Sequence, residues 1–283
     1  MLPPFADMER NVRLALDEDI GNGDLTAQLI PAQQTSTARV ISREPAILCG
    51  QAWFDACFKL VDDNTRIEWH VSEGERVLAN HTLCTITGRA RSLLTAERCA
   101  LNFLQTLSAV ATVTRSYVDA VAGTHANILD TRKTLPGLRL AEKYAVTVGG
   151  GKNQRIGLYD GILIKENHIA AAGGIQAAID AARAIGIALT HEVPIQIEVE
   201  SLEELQTALD AGAKLVLLDN FSIEQTRRAV AVTADRAQLE ASGNITLNNV
   251  RAVAETGVHR ISIGGLTKNV SAIDLSMRFE TGN

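Results

Sequence analysis

The sequence predicts an α/β protein whose second half is a barrel of parallel strands, and three observations lead to this class. From residue 127 onward, short apolar segments alternate with helical ones. Two units repeat the order helix, glycine, strand, at 211–219 and at 256–264. No dinucleotide-binding glycine fingerprint follows the first strand. Strands this apolar are typical of a parallel sheet that is buried on both faces, and about six of them without the fingerprint favour a barrel over an open sheet.

The first half, residues 1–110, has a mixed pattern and is predicted as a separate domain. Apolar spacing indicates a short amphipathic helix at 8–17, and alternation indicates strands at 35–43 and 66–71. A turn is expected at 72–75. A long apolar helix should begin near Ser92, with the serine as its N-cap, and Gly123 is a plausible C-terminal stop.

The second domain, residues 111–283, carries the repeated strand and helix units. Its strands are predicted at 127–130, 161–165, 195–200, 214–219, 238–241 and 260–264, and its helices include 201–211, 223–234 and 247–256. The functional residues of such barrels lie where the strands end, at their carboxyl edge.

Composition excludes several classes of protein. The chain has 283 residues, of which 46% are hydrophobic and 21% charged, which is typical of a globular protein and not of a disordered one. Its apolar runs are shorter than the ~20 residues of a membrane span, and its start does not resemble a secretion signal. The four cysteines have no metal or redox spacing, which predicts reduced thiols and a cytoplasmic location. A net charge of −6 argues against nucleic acid as a partner.

Positive charge is nevertheless concentrated in one segment. Seven basic residues and only two acidic ones lie between Arg132 and Lys165, which suits a small polyanionic ligand. Arg132 and Lys133 follow a strand directly, so they could grip an anion, although such a pair is often only a solvated loop. Lys165 ends another strand and could hold an anion, form a Schiff base or make a structural ion pair.

Acidic residues are predicted at the ends of the next two strands. Glu198 and Glu200 alternate on one strand and therefore share a face, while Asp219 ends the following strand. Carboxylates placed together could orient ribose hydroxyls and water bound to magnesium, although Glu200 could equally be a surface residue. Buried carboxylates need partners, because burying an unpaired charge is costly.

Three other features have weaker functional interpretations. The segment 149–153, Gly-Gly-Gly-Lys-Asn, fails the Walker pattern, and we expect a glycine connection that allows close approach to a ligand. Arg98 on the long helix, considered alone, is predicted to be a surface arginine. His168 is predicted to be a hydrogen-bonded structural histidine.

Together these motifs resemble the quinolinate phosphoribosyltransferase family, the carboxylating nicotinate-nucleotide pyrophosphorylases. The resemblance covers residues 10–279 and is most specific in the central block; the matching segments are 19–26, 96–98, 131–139, 142–146, 149–153, 155–158, 163–169, 242–243 and 262–267. It implies an N-terminal α/β sandwich domain followed by an incomplete α/β barrel of seven or six strands, in a homodimer with shared active sites. It also implies a pentosyltransferase of NAD biosynthesis that transfers the phosphoribosyl group of phosphoribosyl pyrophosphate to quinolinate, with release of pyrophosphate and CO₂.

The resemblance also implies roles for individual residues. Arg132, Arg155 and Lys165 would bind the two quinolinate carboxylates, and Lys133 and Lys165 would meet phosphate. Glu198 and Asp219 would face the ribose and Mg²⁺, with Mg²⁺ bound mainly through phosphoribosyl pyrophosphate and no dedicated protein metal site. The remaining implied substrate contacts are Thr131, Ser242, Gly243, Gly264 and Lys268, with Arg98 reaching the site of the neighbouring subunit.

Two positions depart from the family pattern. Many members have histidine where Gln154 stands, and a histidine near the C-terminal phosphate loop where this chain has Lys268 and Asn269.

Three rival functions remain open from the residues alone. The rivals are a phosphoribosyltransferase for another ring such as nicotinate, a Schiff-base aldolase using Lys165, and a non-catalytic ligand-binding barrel.

Overall fold

The computed structural model describes residues 2–189 and 192–280. The strands of this part are β1 (Thr35–Ser42), β2 (Ala46–Ile47), β3 (Arg66–Trp69), β4 (Arg76–Val77), β5 (Thr82–Arg89), β6 (Asn127–Leu129), β7 (Ile162–Ile164), β8 (Ile195–Val199), β9 (Leu215–Asp219), β10 (Gln238–Ser242), β11 (Arg260–Ser262) and β12 (Leu275–Phe279). The helices are α1 (Phe5–Ile20), α2 (Gln51–Val61), α3 (Ala90–Ala120), α4 (Arg139–Val148), α5 (Glu166–Ala172), α6 (Ile175–Ala188), α7 (Leu202–Asp210), α8 (Ile223–Thr233), α9 (Val250–Ala254) and α10 (Gly265–Lys268).

The chain divides into two compact units that are each discontinuous in sequence. The first unit contains residues 1–115, 134–150 and 266–283, and the second contains 116–133 and 151–265. The boundary predicted after residue 110 lies within α3, which runs through the division at residue 115.

The first unit is built on a four-stranded antiparallel sheet in the order β12-β1-β5-β3. Fully buried aromatic side chains of α2, including Trp53, Phe54 and Phe58, form part of its core. The long helix begins near Ser92, as predicted, but the prediction that Ser92 is its N-cap is wrong. The helix begins at Ala90, and the Ser92 hydroxyl donates to Asp62 Oδ2 at 3.0 Å instead of capping the helix.

The second unit is a six-stranded parallel sheet in the order β6-β11-β10-β9-β8-β7. Each predicted strand of this half is present, within two residues of its expected bounds. Among the described residues, the outer strands β6 and β7 do not pair with each other, so the sheet has the open seam of an incomplete barrel. The predicted α/β class is confirmed.

None of the helices in the described ranges is both long enough and apolar enough to cross a membrane.

Candidate active site

The carboxyl ends of the six parallel strands of the second unit meet at one edge, because their registers align there. Ser242 at the end of β10 lies opposite Asp219 of β9 and Ser262 of β11. The predicted site residues of this unit lie at or directly after these ends: Thr131, Arg132 and Lys133 after β6, Lys165 after β7, Glu198 in β8, Asp219 in β9, Ser242 and Gly243 at β10, and Gly264 after β11. The topology therefore brings this part of the predicted set to one edge.

Lys165 and Glu198 form an ion pair at this edge. Glu198 is mostly shielded, with 14% of its side chain exposed, while Lys165 is nearly half exposed. The pairing follows from the adjacency of β7 and β8, in which Ile164 lies opposite Ile197. The sequence predicted that Glu198 needs a partner, and the structure identifies Lys165 as that partner.

Negative charge is concentrated beside this ion pair. The pKa of the exposed Glu200 carboxyl is raised above its usual range, chiefly by the charge of Glu166, with further contributions from desolvation, Glu204, Asp219 and Glu198. Carboxylates that repel one another in this way form a region of negative potential, which would be relieved by a bound cation or by a ligand that develops positive charge.

Two arginines approach each other where one follows β6 and the other precedes β7. Burial lowers the pKa of the Arg155 guanidinium and the charge of Arg132 lowers it further, against the opposing effect of Asp160. Both arginines line a cavity of about 430 Å³, together with Lys165 and His168. The rest of its wall is largely apolar, from Leu158, Ile162, Leu163, Ile164 and the α6 residues Ala178, Ala181, Ala182 and Ile185. A flat apolar ring with more than one acidic group matches these walls chemically.

His168 has a structural contact, as the sequence predicted. Its Nδ1 accepts a hydrogen bond from the Lys165 backbone N–H at 3.0 Å. An accepting Nδ1 carries no proton, so the neutral ring has its proton on Nε2. The histidine therefore fixes the backbone of Lys165 at the start of α5.

Two glycines at this edge, Gly243 and Gly264, are closely packed against neighbouring side chains. Gly243 has φ +96°, and a Cβ there would lie 2.1 Å from Asn220 Oδ1. The Asn220 side chain donates to Asp219 Oδ2 at 2.8 Å and accepts from Asn244 Nδ2 at 3.1 Å. A Cβ at Gly264 would lie 2.9 Å from Lys133 Cδ. Both glycines therefore leave room for neighbouring site residues.

The segment that carries Arg155 is anchored at several points. The Gln154 N–H donates to the buried Asp130 carboxylate at 2.9 Å, which joins the segment to the end of β6. Asp160 accepts from the N–H groups of Ile156 and Gly157 at 2.7 and 2.8 Å. Asp130 lay at a predicted strand end, but its contact with Gln154 could not be inferred from spacing.

Close packing explains the first glycine of the segment at 149–153. A Cβ at Gly149 would lie 2.6 Å from the Ala111 carbonyl oxygen and from Thr114 Cβ. Gly149 is therefore required by close packing against α3, and the approach of a ligand to this segment stays a prediction.

Two predicted site residues belong to the first unit. Arg98 lies on α3 and is exposed, and Lys268 is exposed at the end of α10.

Within residues 2–189 and 192–280, no group of three or more histidine, cysteine, aspartate or glutamate side chains is arranged to hold a metal ion. All four cysteines are buried free thiols, and burial raises the pKa of Cys57 and Cys84 well above the usual range.

Comparison with known proteins gives matches over nearly the whole chain. Residues 24–108 match the N-terminal domain model of quinolinate phosphoribosyl transferase, and residues 110–278 match the C-terminal domain model. A probable carboxylating nicotinate-nucleotide pyrophosphorylase of Bacillus subtilis is 42% identical over 94% of this chain and 91% of its own length. The carboxylating enzyme of Mycobacterium leprae is 43% identical over 94% and 95%. The solved nicotinate-nucleotide pyrophosphorylase of Francisella tularensis is 46% identical, covers 98% of both chains and superposes with a TM-score of 0.94.

Proposed function

Because the chain belongs to the quinolinate phosphoribosyltransferase family, we propose for it the complete family reaction and assign its residues to it. The phosphoribosyl group of phosphoribosyl pyrophosphate is transferred to the ring nitrogen of quinolinate. Pyrophosphate leaves, the carboxylate next to the nitrogen is lost as CO₂, and the product is nicotinate mononucleotide, a precursor of NAD. The observation that carries the assignment is the cavity in which Arg132, Arg155 and Lys165 meet apolar walls.

The two arginines and Lys165 bind the dianionic pyridine substrate. Burial lowers the pKa of Arg155 and the charge of Arg132 lowers it further, so the two guanidinium groups repel each other when the site holds no anion. A ligand with two carboxylates relieves this repulsion and can accept bidentate hydrogen bonds. The rival ring substrate, nicotinate, carries one carboxylate and would leave part of the positive charge uncompensated.

Glu198 and Asp219 act where the sugar becomes cationic. As the bond from the anomeric carbon to pyrophosphate breaks and the bond to the pyridine nitrogen forms, positive charge develops on the ribose. Nearby carboxylates stabilise that charge, and Lys133 and Lys165 compensate the negative charge of the leaving group. The nitrogen then becomes cationic and withdraws electrons from the neighbouring carbon. The C–C bond to the carboxylate breaks, CO₂ leaves, and the ring carbon that keeps the electron pair takes up a proton to give nicotinate mononucleotide.

Mg²⁺ would be held mainly through phosphoribosyl pyrophosphate. The acidic residues that raise the pKa of Glu200 form a region of negative potential that fits a cation held by the substrate. Asp219 and Glu198 would hold it through water, and the ion would supply charge neutralisation to the pyrophosphate.

The phosphate end of the substrate lies at the glycine-rich strand ends. Ser242, Gly243 and Gly264 lie there, and the glycines leave space because they have no side chain. The Lys133 N–H donates to the Thr131 hydroxyl at 3.0 Å. Lys268 stays a predicted phosphate contact on grounds of charge.

The homodimer with shared sites, in which Arg98 serves the neighbouring subunit, rests on the family resemblance. In this arrangement Arg98→Ala and Lys133→Ala are each nearly inactive alone, but a mixed dimer has one intact site. Equal reassortment should restore about a quarter of wild-type activity, since about half of the dimers are mixed. No recovery in purified heterodimers would place Arg98 in its own subunit's site or outside the site.

The proposed substrate is tested by turnover with quinolinate or nicotinate, each with phosphoribosyl pyrophosphate and Mg²⁺. We expect nicotinate mononucleotide from quinolinate and little or none from nicotinate. Arg155→Ala serves as a matched variant, because it should lose the preference for the dicarboxylate. Faster turnover of nicotinate would contradict the proposal.

A further inference from the structure

A row of polar side chains lies inside the second unit beneath the Lys165–Glu198 ion pair. Along β8, Gln196 and Glu198 share one face of the strand, while Ile197 and Val199 are buried on the other. Gln196 is only 4% exposed. A buried amide is costly unless its donor and acceptor groups are both used, so its partners define what it does.

Four side chains form a continuous series of hydrogen bonds. Arg260 Nε donates to Glu240 Oε2 at 2.9 Å, and Gln196 Nε2 donates to the same oxygen at 3.0 Å. Gln154 Nε2 then donates to Gln196 Oε1 at 2.9 Å. The series runs from β11 through β10 and β8 to the segment between α4 and β7, so it crosses one face of the sheet.

The direction of the series is set by its charged end. The Glu240 carboxylate, fully buried and ion-paired with Arg260, can only accept hydrogen bonds. The amide of Gln196 must therefore turn its NH₂ group toward Glu240 and its oxygen toward Gln154. Gln154 in turn must present its own NH₂ group to that oxygen, so one buried ion pair fixes the orientation of two amides.

Gln154 is the residue next to Arg155, and both line one cleft of about 270 Å³ with Gln196 and Arg260. Burial lowers the pKa of Arg155 and the charge of Arg132 lowers it further, so contacts that hold this segment in place offset the repulsion when no anion is bound. The backbone of Gln154 is tied to Asp130, and its side chain is tied to Gln196. These two contacts oppose the displacement of Arg155.

We propose that Gln196, Glu240 and Arg260 are positioning residues that act through Gln154 to hold Arg155 in place for the dicarboxylate substrate. This inference rests on the proposed role of Arg155 in binding quinolinate. The three residues do not touch the substrate. They lower the cost of binding it, because the binding geometry exists before the ligand arrives.

The test is Gln196→Met, which keeps the length of the side chain and removes its hydrogen bonds. Loss of one buried hydrogen bond in the series should raise the Kd of quinolinate by about fivefold to tenfold, measured by calorimetry. The KM of phosphoribosyl pyrophosphate and kcat at saturation should change by less than about twofold. Gln154→Met should give the same pattern, and the double variant should be no worse than the weaker-binding single variant, since either substitution alone breaks the Gln154–Gln196 contact.

A matched control is Gln206→Met on the exposed face of α7, where Gln206 donates to Asp210 and no site residue is involved. If Gln196→Met does not fold, as judged by circular dichroism, Gln154→Met carries the test because its side chain is only half-buried. Wild-type binding of quinolinate and its loss in Arg155→Ala test the underlying function separately. If both are as expected but the glutamine variants bind quinolinate normally, or lose both substrates equally, the positioning role is wrong.

Discussion

Replacing Glu142 with glutamine should change how the stability of the protein depends on pH. Glu142 is fully buried on α4, where its Oε2 accepts a hydrogen bond from the Leu135 N–H at 3.0 Å. Its other oxygen has no hydrogen-bond partner among the described residues. Burial raises the pKa of this carboxyl, and the hydrogen bond from Leu135 offsets part of that rise. The resulting pKa is about 7.

The direction of the effect follows from the raised pKa. The carboxyl binds its proton more tightly in the folded chain than in the unfolded chain, where its pKa is about 4.3. The contribution of Glu142 to the free energy of unfolding is therefore greatest below the pKa of the unfolded chain. It is lost as the pH rises toward the pKa of the folded chain, about 7. A shift of this size corresponds to about 3 kcal/mol once the group is ionised in both states.

The assay is urea unfolding of wild type and Glu142→Gln between about pH 5 and about pH 8.5. Over this range the free energy of unfolding of the wild type should fall by about 2–3 kcal/mol more than that of the variant. Glutamine keeps an acceptor for Leu135 and cannot ionise. The exposed Glu224→Gln on α8 is the control and should follow the wild type. Parallel pH profiles for wild type and Glu142→Gln would refute the reasoning, since the carboxylate would then not be penalised by burial.

Three further predictions concern the site. Arg155→Ala should weaken quinolinate binding by roughly tenfold or more in calorimetry and phosphoribosyl pyrophosphate binding much less; equal losses would indicate a general electrostatic role. Glu198→Gln should lower kcat more than it changes quinolinate affinity, because it removes charge where the sugar becomes cationic, and unchanged turnover would make this carboxylate structural. Gly243→Ala should raise the KM for phosphoribosyl pyrophosphate, because the added Cβ collides with Asn220 and φ is +96°; an unaltered KM would show that this turn does not contact the substrate.

The strands of the second unit could be predicted because each is a short apolar run bounded by glycine or charge. The same reasoning predicted that Glu198 needs a partner. It could not choose Lys165, because that choice depends on β7 and β8 being neighbours. The order of strands in a sheet is a property of long-range packing and leaves no local pattern in the sequence.

Other features have local patterns that several structures can share. Ser92 has the chemistry of an N-cap, but its hydroxyl is used by Asp62, which lies 30 residues away. Strand β5 was not predicted, and neither was β12, which pairs with β1 from the far end of the chain. Gln196 could have been found, since it lies two residues before Glu198 and therefore on the same strand face. Its partner Glu240 could not, because that contact crosses the sheet.

The central claim is most directly tested with quinolinate that carries an isotopic label in the carboxyl group next to the ring nitrogen. The labelled compound is incubated with the protein, phosphoribosyl pyrophosphate and Mg²⁺, and products are followed by mass spectrometry. We expect one labelled CO₂ and one pyrophosphate for each unlabelled nicotinate mononucleotide formed. A product that retains the label, or pyrophosphate released without loss of CO₂, would contradict the proposed reaction.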